Sequence, residues 1–132
     1  QLSLIRGGSP ADHLRLGRAL APLRDKGVLV VGSGATVHNL RALAREGSPA
    51  PDWARAFDDA VVSAVETSDT DRLLQILETP VGRFAHPTPE HFMPLFVALG
   101  AGDGKGHAIH RSFSWGSVGM TSFAFGEDKA AA

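Results

Sequence analysis

The chain has 132 residues, close to the size of one average domain, and its 43% apolar residues with 15 Gly and 8 Pro exclude a low-complexity or collagen-like chain. Thirteen basic residues against fourteen acidic ones leave a net charge of -1, and no apolar run approaches the ~20 residues of a membrane span, so neither nucleic acid nor a membrane is expected as a partner. Cysteine is absent, which excludes disulfides and thiolate nucleophiles and leaves only His, Asp or Glu to hold a metal.

The first third of the sequence predicts a strand, a helix and a second strand. Residues 1–5 are typical of a strand, and Ser9-Pro10 is a helix-start signal for a helix from Pro10 to Asp25. Gly27 ends that helix, and the β-branched run 28–31 predicts a strand buried on both faces. Two strands joined through a helix pair in parallel. The predicted fold class is therefore α/β, with a mixed, partly parallel central sheet flanked by helices.

The remaining elements are predicted to be helices followed by two strands. Trp53, Phe57 and Val61 recur every four residues, which indicates a helix with one face in the core. A short helix capped near Asp69 is expected to stop at Thr79-Pro80. A further helix is expected to begin at Thr88-Pro89. Residues 107–113 and 118–125 predict an antiparallel pair of strands at the carboxyl end.

Six histidines justify a search for a metal or acid–base site. His13 is expected on the solvated side of its helix. His38 follows a glycine-rich turn after a predicted strand, which is where open α/β proteins bind ligands. Glu90 and His91 would share the first turn of a helix about 100° apart, so that one reaches a metal while the other supports it or binds substrate. From the residues alone, packing roles for these side chains stay open.

The turn Gly32-Ser33-Gly34 suggests two other chemistries, and the spacing disfavours both. Val37 stands where the dinucleotide-binding pattern Gly-x-Gly-x-x-Gly needs its third glycine. Val31 and Ala35 occupy the outer positions of the hydrolase pattern Gly-x-Ser-x-Gly. Neither nucleotide binding nor a serine nucleophile is therefore predicted.

Three strings in this sequence, in the same order along nearly the whole chain, resemble the class III extradiol ring-cleavage dioxygenases of the DOPA-dioxygenase type. They are Gly32-Ser33-Gly34-x-x-x-His38-Asn39-Leu40-Arg41, then Pro87-Thr88-Pro89-Glu90-His91-x-x-Pro94-Leu95, and the closing Gly-Ser-x-x-Met of residues 116–120. The resemblance implies an α/β fold that binds a mononuclear non-haem iron(II), with zinc in some members. It also implies a catechol-type substrate and O2, whose two atoms are inserted as the ring opens.

The same resemblance assigns roles residue by residue. His38 matches the acid–base catalyst, which is sometimes given as a ligand, and His91 matches a metal ligand. Glu90, beside His91, is assigned to the metal because a related branch uses a carboxylate there. We assign the neighbouring Asn39 and Thr88 to substrate binding. A neutral histidine suits proton transfer from a catechol, and few protein ligands leave open positions on the metal.

The sequence departs from the family at its amino end. The early His-Gly-Ser-Pro and later Ser-Ala-His strings, which supply metal-binding histidines, are absent, and Arg6 precedes Gly7-Gly8-Ser9-Pro10. We therefore expect residues 1–132 to be one domain, the carboxyl-terminal half of a larger extradiol dioxygenase domain, inactive alone. Its expected partner is the amino-terminal half or a second copy, in the cytoplasm. The alternative is a non-catalytic metal-binding or interaction module on the same fold.

Overall fold

The structure is a computed structural model that describes residues 1–126. Within that range the helices are α1 (Pro10–Leu20), α2 (Asp52–Glu66), α3 (Thr70–Gln75), α4 (Pro80–Ala85) and α5 (Met93–Ala101). The strands are β1 (Gly106–His110), β2 (Phe113–Ser114), β3 (Val118–Gly119) and β4 (Ser122–Phe125), and short 3-10 turns cover Ala21–Lys26, Leu40–Ala42 and Ile76–Glu78. The α/β class is confirmed. None of the helices in residues 1–126 is long and apolar enough to cross a membrane.

Helix α5 lies at the centre of the fold and packs closely against α1. A Cβ atom at Gly17 would lie 2.2 Å from the Val97 carbonyl oxygen, and one at Gly100 would lie 2.4 Å from that of Leu14. Because only glycine allows this approach, the two helix backbones are almost in contact. The predicted core face of α2 is confirmed, since Phe57 and Val61 are fully buried in the hydrophobic core.

Several predicted boundaries shift for identifiable reasons. α1 ends at Leu20, because Pro22 converts the last turn into the 3-10 segment Ala21–Lys26 before Gly27 closes it at a φ of 76°. The predicted stop at Thr79-Pro80 is confirmed, since the 3-10 turn Ile76–Glu78 ends there, but the same two residues also begin α4, which the sequence did not predict. The Thr79 hydroxyl accepts a hydrogen bond from the Gly82 amide at 3.0 Å and caps α4.

The helix expected from Thr88-Pro89 begins instead at Met93. Pro89 closes a turn in which its carbonyl accepts from the Phe92 amide at 2.9 Å. The proline in the first turn of α5 is therefore Pro94, and Glu90 and His91 lie in the turn before the helix.

The antiparallel carboxyl-terminal strands are confirmed. β1 pairs with β4 from Gly106 opposite Phe125, and β2 pairs with β3 from Phe113 opposite Gly119. The two pairs follow one another along a single interrupted hairpin. At its tip, Trp115 and Gly116 take φ values of 50° and 74°, which make the turn tight. An isolated bridge between Val37 and Gly119 joins this hairpin to the loop that follows residues 28–34.

The parallel central sheet is not confirmed. Residues 1–5 and 28–31 have no regular secondary structure and join no ladder within residues 1–126. The side chains of Leu29 and Val31 are 83% and 75% exposed, so this segment is not buried on both faces. A strand needs a neighbour that accepts its backbone hydrogen bonds, and the described part of the chain supplies none for these segments.

The prediction that His13 is solvated was wrong, because its side chain is only 1% exposed. Its Nδ1 lies 2.8 Å from the Ser9 carbonyl oxygen, and its Nε2 accepts from the Ile5 amide at 3.2 Å. The turn at Gly7, with a φ of 68°, is followed by Gly8, which lies close to both Ile5 and the His13 ring. His13 therefore fastens the amino-terminal segment to α1.

Candidate functional site

The loops that contain His38 and His91 bring these two side chains into contact. Their imidazole rings stack with centroids 3.6 Å apart and planes 9° from parallel. His38 is half-buried, and the side chain of His91 is 45% exposed. The two residues singled out from the sequence thus form one pair at the surface of the core, at the amino-terminal end of α5.

Backbone hydrogen bonds set this pair in place. The Ala35 amide donates to the His91 carbonyl at 2.9 Å, and the His38 amide donates to the Ala85 carbonyl at 3.0 Å. A Cβ atom at Gly34 would lie 2.1 Å from the His91 carbonyl oxygen, so glycine is required for the two chains to run this close. The loop after residues 28–34 is therefore anchored along the segment from α4 to α5.

Glu90 adds a carboxylate beside the pair. Its Oε1 lies 3.7 Å from His91 Nδ1 and accepts a hydrogen bond from the Thr88 hydroxyl at 2.7 Å. The Thr88 hydroxyl, followed by the backbone amide of Glu90 itself, lowers the pKa of this carboxyl below its usual value. Glu90 is therefore ionised at neutral pH, next to the imidazole that it accompanies in sequence.

The state of His38 follows from its surroundings. Burial lowers the pKa of its imidazole below the ordinary value of 6.5, and the neighbouring His91 lowers it further. A backbone hydrogen bond and the Glu90 carboxylate act in the opposite direction without reversing the shift. The ring is therefore neutral at pH 7 and has a lone pair with which to accept a proton.

Asn39 and Thr88, the two residues assigned to substrate, occupy different environments. Asn39 is 3% exposed, and its Oδ1 accepts from the Arg41 amide at 3.0 Å while its Nδ2 donates to the Phe84 carbonyl at 2.6 Å. These bonds hold the His38 loop against α4. Thr88 is exposed and bonded to Glu90. Substrate binding by either residue stays a prediction.

The donors present do not make a complete metal centre. Within residues 1–126, no three His, Asp or Glu side chains converge into a group that could hold a metal ion. His38 and His91 lie face to face, whereas two histidine ligands of one metal point their ring edges at it. His91 and Glu90 therefore offer part of a ligand set, and the described chain alone does not fit the metal that the resemblance implied.

Four residues that the sequence did not single out stabilise the loop that contains His38. They are Thr36, Asp58, His86 and Arg111. The fully buried Asp58 carboxylate accepts from the Thr36 hydroxyl at 2.7 Å and from Arg111 at 2.7 and 3.2 Å. His86, 5% exposed, places its Nε2 2.7 Å from the Thr36 carbonyl oxygen. One feature of the sequence could have indicated these residues. Asp58 is an acidic residue that directly follows Phe57, on the side of α2 that faces the core.

A groove of about 710 Å³ has His91 among its lining residues. It is lined by residues 29–36, by the face of α5 that contains Leu95 and Ala98, and by residues 120–126, which include β4. No hydrogen bond between described residues involves the backbone of residues 29–34. The groove therefore has apolar residues of α5 on one side and, on the other, residues 29–34, whose backbone is unpaired within the described residues.

The family follows from comparison with known proteins. The family described as the catalytic LigB subunit of aromatic ring-opening dioxygenase matches residues 3–126. The chain belongs to this family. Its dioxygenases are generally metal-dependent.

The individual relatives agree with this assignment. The chain is 36% identical over 128 residues to the 4,5-DOPA dioxygenase extradiol of Beta vulgaris. The aligned region covers 95% of this chain and 48% of the relative. It is 40% identical over 129 residues to the protein of the same name in Portulaca grandiflora, again over 95% and 48%. A crystal structure of the uncharacterized protein JW3007 from Escherichia coli K12 superposes with a TM-score of 0.79 at 36% identity, over 89% of this chain and 50% of that one. The chain thus spans about half the length of these relatives.

Proposed function

We propose that the chain is the carboxyl-terminal half of an extradiol dioxygenase that opens a catechol-type ring with O2. The observation that carries this proposal is the stacked pair of His38 and His91, formed by the two loops whose strings resemble that family. The named relatives act as extradiol dioxygenases on DOPA, a catechol. The substrate of this chain is proposed at the level of a catechol, and its location as the cytoplasm.

His38 is the proposed acid–base catalyst. Because burial keeps its imidazole neutral, its free nitrogen accepts the proton of a catechol hydroxyl and returns that proton during ring opening. Its backbone amide is fixed to Ala85, so the ring has a defined approach to the substrate. Asn39 holds this loop, and Thr88, exposed beside Glu90, is proposed to contact the substrate.

His91 is the proposed metal ligand of this half, with Glu90 as a second donor or as its supporting carboxylate. The proposed metal is iron(II), with zinc as the alternative, and when bound it supplies a Lewis acid with open positions. The stacked rings place His91 in contact with the proposed base. Since the described residues lack a third converging donor, the remaining ligands are proposed to come from another polypeptide segment.

The proposed source of those ligands is an amino-terminal half, seated in the groove beside residues 29–34. Leu29 and Val31 expose large apolar surfaces there, and the backbone groups of this segment have no partner among the described residues. A strand added along this segment would bury both. Because His91 is among the lining residues of the groove, an occupant would bring its own side chains beside the proposed ligand.

The test is to produce the chain with and without an amino-terminal half encoded upstream, and to measure O2 uptake with a catechol and iron(II). We expect O2 uptake and a yellow ring-opened product only when both halves are produced together. The substitution Val31→Asp, in the exposed apolar wall, is expected to prevent association, and Val28→Asp at the margin of the segment serves as a matched comparison.

Two results contradict the proposal in different ways. A stable complex that binds metal but consumes no O2 with any catechol favours the non-catalytic metal-binding module. The proposed partner is contradicted if this chain sediments as a monomer that does not bind the amino-terminal half. It is also contradicted if the chain sediments as a dimer of itself alone.

A further inference from the structure

Thr36, two residues before His38, is held at three of its atoms. Its amide donates to the Gly119 carbonyl at 3.1 Å, its carbonyl oxygen lies 2.7 Å from His86 Nε2, and its hydroxyl donates to Asp58 at 2.7 Å. The three partners belong to β3, to the residue after α4, and to α2. Among the hydrogen bonds of residues 1–126, no other residue of the segment 35–39, which contains His38, is bonded to three separate elements.

The bond from Thr36 to Asp58 is charge-assisted and buried. Asp58 is 0% exposed, and Arg111, whose side chain is 44% exposed, compensates its charge from outside. Hydrogen bonds to an ionised acceptor are stronger than neutral ones, and a buried carboxylate that loses a donor is destabilised. The hydroxyl of Thr36 is therefore held at one position relative to α2.

The opposite side of Thr36 is equally constrained. Gly119 has no Cβ, and a Cβ atom there would lie 2.3 Å from the Thr36 hydroxyl oxygen and 2.9 Å from the Val37 nitrogen. Glycine at position 119 therefore lets β3 hydrogen-bond to the backbone of Thr36 and Val37 and leaves room for the Thr36 hydroxyl. The Gly119 amide donates to the Val37 carbonyl at 3.0 Å, which continues this contact one residue nearer to His38.

We propose that Thr36 is a positioning residue for His38, and that the buried Asp58 carboxylate sets its position through the Thr36 hydroxyl. This inference rests on the proposed function, in which His38 transfers a proton to and from the substrate. Thr36 touches neither the substrate nor the metal in this proposal. It determines where the His38 ring lies relative to His91, because only Val37 separates the fixed residue from the base.

The experiment compares Thr36→Val, Thr36→Ser and Asp58→Asn in the chain assembled with its amino-terminal half. Asp59→Asn is the matched control, because Asp59 also pairs with Arg111 but is exposed and does not contact Thr36. We expect Thr36→Val and Asp58→Asn to lower kcat by about 10- to 100-fold, with KM and bound metal near those of the parent. Thr36→Ser, which keeps the hydroxyl, is expected to restore most of kcat, and Asp59→Asn to match the parent.

A second readout does not require ring cleavage. Exchange of the His38 amide hydrogen, bonded to Ala85, is expected to accelerate at least about tenfold in Thr36→Val and not in Asp59→Asn. Parent-like kcat or parent-like exchange in Thr36→Val overturns the proposal, as does a Thr36→Ser variant as impaired as Thr36→Val. If Thr36→Val does not fold, Asp58→Asn decides by the same criteria. If the parent opens no catechol, the proposed function fails, and amide exchange alone then decides whether Thr36 positions the loop.

Discussion

The Nε2 atom of His86 lies 2.7 Å from the carbonyl oxygen of Thr36. A carbonyl only accepts hydrogen bonds, so this nitrogen bears the proton and the ring is the neutral Nε2–H tautomer. The other ring nitrogen, Nδ1, is buried and has no hydrogen-bond partner among residues 1–126. Burial lowers the pKa of His86 from 6.5 to about 4, because a charged ring would lose its solvation between Phe57 and Phe92.

Acid is therefore expected to destabilise the fold through His86. Between pH 6.5 and about 4 the unfolded chain binds a proton at this residue while the folded chain does not, so stability is complete above pH 6.5 and falls as the pH drops. The loss approaches about 3 kcal/mol at the lower limit. Urea unfolding at pH 7, 5.5 and 4.5 measures it, with His86→Gln as the comparison, since glutamine also donates to a carbonyl but does not titrate. Equal pH dependence in the two proteins would rule out His86 as the source.

Asp58 and Asp59 provide a matched pair for stability. Both carboxylates contact Arg111, but the Asp58 side chain is 0% exposed and that of Asp59 is 65% exposed. Removing one partner of a buried ion pair leaves the other uncompensated, so we expect Asp58→Ala to lower the free energy of unfolding by about 3 kcal/mol. Asp59→Ala is expected to cost less than about 1 kcal/mol, because water screens an exposed pair. Denaturant titration compares the two variants, and equal losses would contradict the expectation that the buried Asp58 carboxylate contributes more to stability than the exposed Asp59 carboxylate.

His13 makes a third measurable contribution. Its two ring nitrogens hold the Ser9 carbonyl and the Ile5 amide, so His13→Phe keeps an aromatic ring but removes both bonds. We expect a loss of about 1–3 kcal/mol from the backbone groups left without partners. Hydrogen exchange at the Ile5 amide should accelerate, whereas His110→Phe in exposed β1 should leave it unchanged. An unaltered Ile5 amide in His13→Phe would show that other contacts hold residues 1–5.

How far the fold could be predicted depended on whether the determinants were local. The spacing of Trp53, Phe57 and Val61 predicted α2 because a helix repeats every 3.6 residues. The start of α5 was misplaced because Pro89 and Pro94 both suit a first helical turn, and only the turn closed by Pro89 distinguishes them. Residues 28–31 have the composition of a buried strand, yet a ladder depends on a neighbour that the described chain does not contain.

In the candidate site, too, the residues in local motifs were predictable and those that act through distant contacts were not. His38 and His91 were found from motifs, and the structure brings their rings together. His86 and Asp58 were missed because their roles depend on contacts with Thr36 across long separations in sequence. Periodicity marks such residues only as buried, and does not show that Asp58 bonds the Thr36 hydroxyl or that His86 bonds the Thr36 carbonyl.

The last prediction separates the proposed base from the proposed ligand in the assembled enzyme. His38→Gln is expected to lower kcat for a catechol by at least about 10^2, because general acid–base catalysis is lost, while most of the metal stays bound. His91→Ala removes a ligand and should deplete metal and activity together, with Glu90→Ala between the two if its carboxylate only supports His91. Metal analysis alongside O2 uptake measures both quantities, and Arg41→Gln, an exposed change in the same loop, is the control. A metal-replete and fully active His38→Gln enzyme would refute the base, and a fully metallated His91→Ala enzyme would refute the ligand.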